Sequence, residues 1–205
     1  MDVPTAREKW NRRYAEPGFA PVPATPGEWL VENRDLLAGG RALDVACGDG
    51  RNSRYLAQLG FTVDAIDISD VAVDALRSAA RARGLAVAAR VLDLETTTAA
   101  AAAGGGSLGA GEYDVVVNLN FLSRGLFPAL ARALRPGGLL VFETFTETHA
   151  RELGHRFDAR FLLGPNELLR AFPELLVRRY REETAVRSGQ PRGVAGLVAQ
   201  RPTAG

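Results

Sequence analysis

The sequence predicts an α/β fold: a doubly wound, mostly parallel sheet that closes with an antiparallel hairpin. Three observations predict it. Five short apolar runs alternate with amphipathic stretches, two closely spaced glycines follow the first run, and the last two strand candidates are joined by a segment too short for a crossover helix. A chain of 205 residues, 46% apolar and 24% charged, is long enough for one substantial core and ordinary enough in composition to fold.

In chain order, PTAREKWNRRYAE from Pro4 to Glu16 is highly charged but sets Trp10 and Tyr14 at i and i+4, on one face of a helix. That face is either a docking stripe or a lid over a ligand. Pro17, Pro21, Pro23 and Pro26 then interrupt the chain before a helical segment over Gly27 to Ala38, which Gly39 and Gly40 end. Strands are expected at Ala42 to Ala46, Thr62 to Ile66, Val87 to Leu92, Tyr113 to Leu119 and Leu139 to Phe145. Helices are expected at Asn52 to Leu59, Val71 to Arg83 and Phe121 to Leu134. Continuous Val/Ile/Leu runs between amphipathic helices are what a parallel sheet covered on both faces requires. Residues 95–112 hold an alanine- and glycine-rich insertion, to which no chemistry is assigned. A short helix capped near Asn166 spans Pro165 to Phe172. Leu175 to Thr184 and Val194 to Arg201 then pair across the turn SGQPRG.

Charge and composition exclude several classes of function. Twenty-five basic residues balance twenty-four acidic ones, leaving a net charge of +1 and no global field to gather nucleic acid or anionic membrane. A nucleic-acid partner is therefore disfavoured. Cys47 is the only cysteine, and His149 and His155 are the only histidines, so neither a disulfide nor a metal site is expected. The N-terminus has no apolar leader and no apolar run nears the roughly 20 residues of a membrane span, so a cytoplasmic location is expected.

In an open α/β sheet, ligands bind beyond the carboxyl ends of the strands, so the residues after each strand carry the chemistry. After the first strand come Cys47, Gly48, Asp49 and Gly50. Glycines let the backbone approach a ligand closely, and the helix that follows offers free N–H groups. Ser53 stands where a dinucleotide fingerprint has its third glycine, so this stretch alone also fits a plain tight turn. After the second strand come Asp67, Ile68 and Ser69. Asp67 lies 17 residues beyond Gly50 (67 − 50), near the offset at which a carboxylate accepts both ribose hydroxyls, while Ser69 or Asp70 suits a helix N-cap better. Asp93 and Leu94 follow the third strand, an acid for an exocyclic amine and an apolar residue for a base. Asn118, Leu119 and Asn120 end the fourth. Four strand ends thus describe an adenosine-like ligand.

These residues together resemble the class I S-adenosylmethionine-dependent methyltransferases, and the resemblance runs from EKWNRRY to GLVAQR. Asp44, Ala46, Gly48 and Gly50 follow the family's acidic-x-Gly-x-Gly-x-Gly pattern, with Ala46 replacing the first glycine. VDAIDIS, VLDLE and ALRPGGLLVFETF match further, and the LRPGG turn is the most specific item. Within the class, EKWNRRY and DVACGDGRNSRYLAQLG are similar to the bacterial tellurite-resistance and thiopurine-type subgroup, which acts on small molecules. The resemblance implies a Rossmann-like sheet forming a single domain, with residues 1–38 as an N-terminal helical cap whose Trp10 and Tyr14 cover the cofactor. It further implies Asp67 on the ribose, Asp93 and Leu94 on the adenine, and Ala46 to Gly50 on the methionine and ribose, with Arg51 and Asn52 shaping the pocket. Cys47 reads as a small buried residue, since methyl transfer needs no covalent intermediate.

The implied chemistry is methyl transfer from S-adenosylmethionine, leaving S-adenosylhomocysteine, to a small-molecule acceptor, with a thiol or other chalcogen nucleophile in view. Such an acceptor makes a base useful, and His149, Glu143 and Glu147 are candidates near the end of the fifth strand. A surface position at a helix start is the plainer reading of His149. Arg124 either orients an acidic substrate or caps its helix. NLNF at Asn118 to Phe121 lacks the prolines of amino-methyltransferase motifs, which disfavours a nitrogen acceptor on nucleic acid. Two rival readings stay open: an NAD-dependent oxidoreductase, and a cofactor-binding module without turnover. Oligomeric state is not legible in the sequence.

Overall fold

The computed structural model describes residues 4–16, 25–95, 108–152, 154, 158–187 and 189–203. The strands are β1 (Arg41–Val45), β2 (Thr62–Asp67), β3 (Val87–Val91), β4 (Tyr113–Leu119), β5 (Leu134–Phe145), β6 (Leu176–Arg187) and β7 (Gln190–Gln200). They form one seven-stranded sheet in the order β3-β2-β1-β4-β5-β7-β6. Pairing is parallel from β3 to β5, and β7 then joins both β5 and β6 antiparallel. The order reverses between β1 and β4, whose ends are aligned with Val45 opposite Asn118. That places the crevice of a doubly wound sheet above residues 46–50 and 119–120.

Side chains alternate across the sheet with the period of two that strands impose. Leu43, Val45, Ile66, Val116, Leu140 and Phe142 face one layer, where α5 (Phe127–Ala133) and α7 (Glu167–Ala171) cover them with Phe127, Leu130 and Leu168. Ala42, Val63, Val115, Val117 and Val141 face the other, against Trp29 and Leu30 of α2 (Glu28–Glu32) and Leu56 of α3 (Arg51–Gln58). Farther out, Ala65 and Ala89 meet Val73 and Leu76 of α4 (Asp70–Ala82). Small residues at 65 and 89 let that helix lie close to the sheet. Each large aliphatic side chain buried this way contributes about 1.5–3 kcal/mol.

Several boundaries differ from the sequence expectation, each for a local reason. The helix expected over 27–38 stops at Glu32. Asn33 donates its side-chain amide to the Trp29 carbonyl (2.7 Å), and only a 3-10 turn, Arg34–Leu36, follows. The helix expected from Phe121 starts at Phe127, because Pro128 suits a first turn and not an interior. β5 begins at Leu134 and not at Leu139, with the LRPGG stretch already inside it. The terminal strands reach further than expected: Arg187 pairs with Gln190, so the connection shrinks to residues 188–189, with Gly189 at φ 76°. Pro191 is tolerated in β7 since β5 pairs only as far as Val194. Asn166 holds the N-cap position of α7 in the left-handed region, φ 54°, without a side-chain cap bond. Its N–H donates to Glu182 instead (2.8 Å). The helix start read at His149 is a short helix, α6 (Glu147–Arg151), whose bounds the sequence does not give. Most of the alanine- and glycine-rich insertion, residues 96–107, lies outside the described residues.

The glycine pair of LRPGG has a packing reason. Gly137 adopts φ 82°, and a Cβ on Gly138 would stand 2.7 Å from the Tyr113 carbonyl oxygen and 3.0 Å from that of Arg135. Backbone cannot swing away as a side chain can. Gly138→Ala is therefore expected to destabilise the fold by about 1–3 kcal/mol, read as a lower urea midpoint at an unchanged m-value.

Candidate active site at the sheet crossover

The crevice is built on a run of left-handed backbone. Ala46 (φ 53°), Gly48 (φ 56°) and Gly50 (φ 81°) turn the chain sharply between β1 and α3. The Cys47 N–H donates to the Ile66 carbonyl (2.9 Å), which ties the turn to β2. Asp67, at the end of β2 and 7% exposed, completes the tie. Its Oδ2 accepts from the Gly48 N–H (2.8 Å) and its Oδ1 from the Ser69 N–H (2.9 Å). Burial pushes the Asp67 carboxyl up from its ordinary value, and these backbone donors oppose the shift. Ser69 caps α4, its Oγ accepting from the Ala72 N–H (3.2 Å).

Asp44, one residue before the end of β1, is the second buried acid. Ser53 donates its hydroxyl to Oδ2 (2.5 Å), while Oδ1 is buried without a hydrogen-bond partner. Burial raises its carboxyl to about 7, against the pull of the Ser53 bond and the Arg51 charge. An unpartnered carboxylate oxygen beside a glycine turn fits a ligand that brings a donor or a positive charge. The Cys47 thiol is buried, and burial followed by the Asp44 and Asp67 charges pushes its pKa well up, which makes it a poor nucleophile.

Helix α1 (Ala6–Ala15), opened by a Thr5–Glu8 capping box, lies over this turn. A Cβ at Gly48 would meet the Tyr14 hydroxyl oxygen at 2.4 Å, so the turn needs glycine there for space as well as for φ. Burial, then the Asp67 charge, raises the Tyr14 phenol, which stays protonated as a donor. Trp10 contacts Tyr14 (6.0 Å between ring centroids) but is 38% exposed. Of the aromatic pair, only Tyr14 is brought against the glycine turn. Asn11, which the sequence reading passed over, accepts from the Ser69 hydroxyl (2.7 Å) and donates to Asp70 (3.1 Å).

The remaining sequence candidates fall in three places. Beyond the ends of β2 and β3, Asp93 accepts from the Glu95 N–H (2.9 Å), Leu94 is buried in the core and Ile68 is half-buried. Around the crossover, Asn118 donates to the Phe121 carbonyl (2.8 Å), Asn120 takes φ 60° and donates its N–H to the Glu143 carbonyl (2.9 Å), and Asn52 accepts from the Gly27 N–H (2.8 Å). Leu119 packs against Gly27, where a Cβ would clash with it. The third place is a cleft between residues 25–28, Arg51, the end of β4, and the facing ends of β5 and β7.

Glu143 lines that cleft, and its Oε2 is held by Arg181 (2.6 Å), whose guanidinium also stacks on Trp29 (4.1 Å). His149 is not at the surface, contrary to the plainer sequence reading. It is 2% exposed, stacked on Phe145 (4.5 Å), with Nδ1 facing the Gly193 N–H (3.4 Å). Gly193 provides the room for α6, since a Cβ there would stand 2.6 Å from the backbone nitrogen of His149. Arg124 works as a clamp: it pairs with Glu167 (2.6 Å) and donates to the carbonyls of Arg160 and Leu162. Arg192, missed in the sequence, enters the cleft from β7 over the Phe145 ring (5.6 Å). No local signal marks it, because its place depends on where β7 runs past β5. Among the described residues no group of three His, Cys, Asp or Glu side chains is placed to hold a metal ion.

Comparison with known proteins agrees with this geometry. Residues 42–138 match the family model described as a methyltransferase domain. The chain is 32% identical over 123 residues to a ubiquinone biosynthesis O-methyltransferase of Nitrosococcus oceani, covering 58% of this chain and 49% of the relative. It is 34% identical over 141 residues to the enzyme of that name from Xanthomonas euvesicatoria, covering 64% and 56%. The chain thus spans about half the length of the curated relatives it matches. Among solved structures it superposes on one from a study of the conversion of a disulfide bond into a thioacetal group during echinomycin biosynthesis, with TM-score 0.71, 21% identity and coverage of 97% and 93%. TehB from Haemophilus influenzae gives TM-score 0.67 at 20% identity, covering 84% and 61%. Residues 42–138 are thus similar to methyltransferase domains, and the solved structures share the fold of the whole sheet.

The buried acid at Asp44 makes stability depend on pH. Its folded pKa, about 7, lies above the ordinary 3.8, so the stability it lends is present below about pH 4 and is lost as pH rises through 7. Asp44→Asn cannot ionise. Between pH 5 and 8 the denaturant midpoint of the ligand-free variant is expected to fall less than that of the unaltered protein.

Proposed function

We propose that this methyltransferase-fold chain catalyses methyl transfer from S-adenosylmethionine to an oxygen, sulfur or other chalcogen nucleophile on a small molecule. The observation that carries the reading is the buried Asp67 carboxylate, fixed by the Gly48 and Ser69 amides at the crossover of a seven-stranded sheet ending in an antiparallel hairpin. A rigid carboxylate is suited to a pair of vicinal hydroxyls. The relatives named as O-methyltransferases support an oxygen acceptor, and the absence of prolines after Asn118 weighs against nitrogen.

The residues divide the work by position. Asp67 would hold the ribose, Asp93 and Leu94 the adenine, and Ala46 to Gly50 with Asp44 the methionine part, under the Tyr14 ring. The cofactor when bound supplies a methyl group already activated on a sulfonium, so the protein needs mainly to orient an acceptor and exclude water. Acceptor binding falls to the cleft beyond Arg51, between Leu119 and Phe145. Of the three candidate bases, Glu143 lines that cleft, so an acceptor O–H or S–H has a carboxylate there to donate to. His149, packed flat against Phe145, supports the cleft wall.

S-adenosylhomocysteine at 100 times its dissociation constant is expected to stabilise the protein by about 2.7 kcal/mol, and NADH is expected to leave it unchanged. Stabilisation by NADH alone would instead favour the oxidoreductase reading. Asp67→Ala strands two buried N–H groups and should cost about 1–3 kcal/mol of stability; calorimetry should also show at least tenfold weaker S-adenosylhomocysteine binding. Unchanged affinity would remove the ribose assignment. Labelled cofactor incubated with phenols, thiols, selenite, tellurite and a metabolite extract should yield a labelled small molecule. Binding without transfer to any of them would favour a module without turnover.

A further inference from the structure

Two arginines in the acceptor cleft stand out by what they lack. Arg41, Arg77, Arg124, Arg179 and Arg181 each pair with a carboxylate. Arg51 and Arg192 make no ion pair or side-chain hydrogen bond among the described residues, yet both line the same cleft. Both are half-buried. Arg51 sits at the start of α3, and burial lowers its guanidinium's proton affinity, opposed by Asp44 and Asp49. Arg192 lies in β7 beyond the last β5 pairing, with its guanidinium over the Phe145 ring.

None of the acids nearby pairs with either arginine. Glu28 and Glu143 line the cleft and Asp44 and Asp49 act on Arg51 from the glycine turn, but no carboxylate forms an ion pair with Arg51 or Arg192 among the described residues, and Glu143 is bound by Arg181 (2.6 Å). Like charges gathered in a half-buried cleft repel each other until an anion enters. Guanidinium groups present planar forks of donors that match carboxylate and phosphate oxygens. The rest of the wall is apolar, formed by Leu119, Phe145 and Val194.

We propose that the methyl acceptor is an anion, a small molecule whose carboxylate or phosphate is held by Arg192 with help from Arg51 while its apolar body lies against Phe145 and Leu119. The inference rests on the cleft being the acceptor site of the methyltransferase reading. Arg51 follows the glycine turn directly, where the cofactor's own carboxylate competes for it. Arg192 has no such competitor, so it is the specificity-determining residue.

The test uses the full chain saturated with S-adenosylhomocysteine and, as probes, benzoate, phenyl phosphate and the neutral isostere benzamide, with binding followed by ligand-observed NMR. At least one anionic probe should bind ten times more tightly than benzamide, and which one does separates a carboxylate acceptor from a phosphate one. Arg192→Gln should abolish the preference and Arg192→Lys should keep part of it. Arg83→Gln, which removes the same charge at the exposed end of α4, should keep all of it. S-adenosylhomocysteine affinity should stay within threefold in all variants. Equal binding of charged and neutral probes, no binding of any, a preference that survives Arg192→Gln, or anion binding that S-adenosylhomocysteine displaces would each overturn the inference and leave the cofactor reading intact. Failure of the unaltered protein to bind S-adenosylhomocysteine would overturn both.

Discussion

The site depends on one carboxylate accepting two backbone amides. Asp67 receives the Gly48 N–H on one oxygen and the Ser69 N–H on the other, so the turns after β1 and β2 are held at a set distance. The Cys47 N–H, bonded to the Ile66 carbonyl, adds a second tie between them. The first turn needs left-handed backbone at residues 46, 48 and 50, and the second must deliver Ser69 as the cap of α4. An ionised acid within the protein is costly unless donors surround it. Here the donors are the same amides whose placement the site requires, so the stability of the carboxylate and the shape of the turn are one requirement.

Around that bridge the charges are arranged unevenly. Asp44 is buried with one oxygen lacking a partner, while Arg51 and Arg192 lack carboxylates to pair with. Other arginines are spent on structure. Arg124 ties the end of β4 to α7, and Arg181 joins Trp29, Glu32 and Glu143 across the hairpin. The half-buried charges left without an ion pair thus gather where strand order reverses. Open α/β sheets bind their ligands at that point.

Much of this was legible in the sequence because it is written in local chemistry. Gly48, Gly50, Asp67 and the LRPGG stretch are restricted by the backbone within a few residues of themselves, and the alternation of apolar runs set the parallel sheet. Boundaries were less legible where one side chain competes with the backbone, as Asn33 does, or where a proline decides which turn comes first, as Pro128 does. Residues whose surroundings come from distant strands were not legible at all. His149 reads as a surface residue until Phe145 and Gly193 close over it, and Arg192 carries no signal until β7 is laid beside β5. Asn11 likewise gains its meaning only once α1 rests on Ser69 and Asp70.

That resting contact has a consequence for local stability. Helix α1 buries none of its residues fully; its polar links to α4 include the two Asn11 hydrogen bonds and a long Arg7–Asp70 ion pair at 3.9 Å between half-exposed side chains. Hydrogen bonds of this kind contribute about 0.5–1.5 kcal/mol each, and a surface ion pair about 0–1. Lifting α1 therefore breaks a few polar contacts and the Tyr14 contact without disturbing the sheet. Such an opening lies far below global unfolding on the free-energy scale. The helix over the glycine turn is thus weakly moored, and added salt screens the Arg7–Asp70 pair before it touches the core.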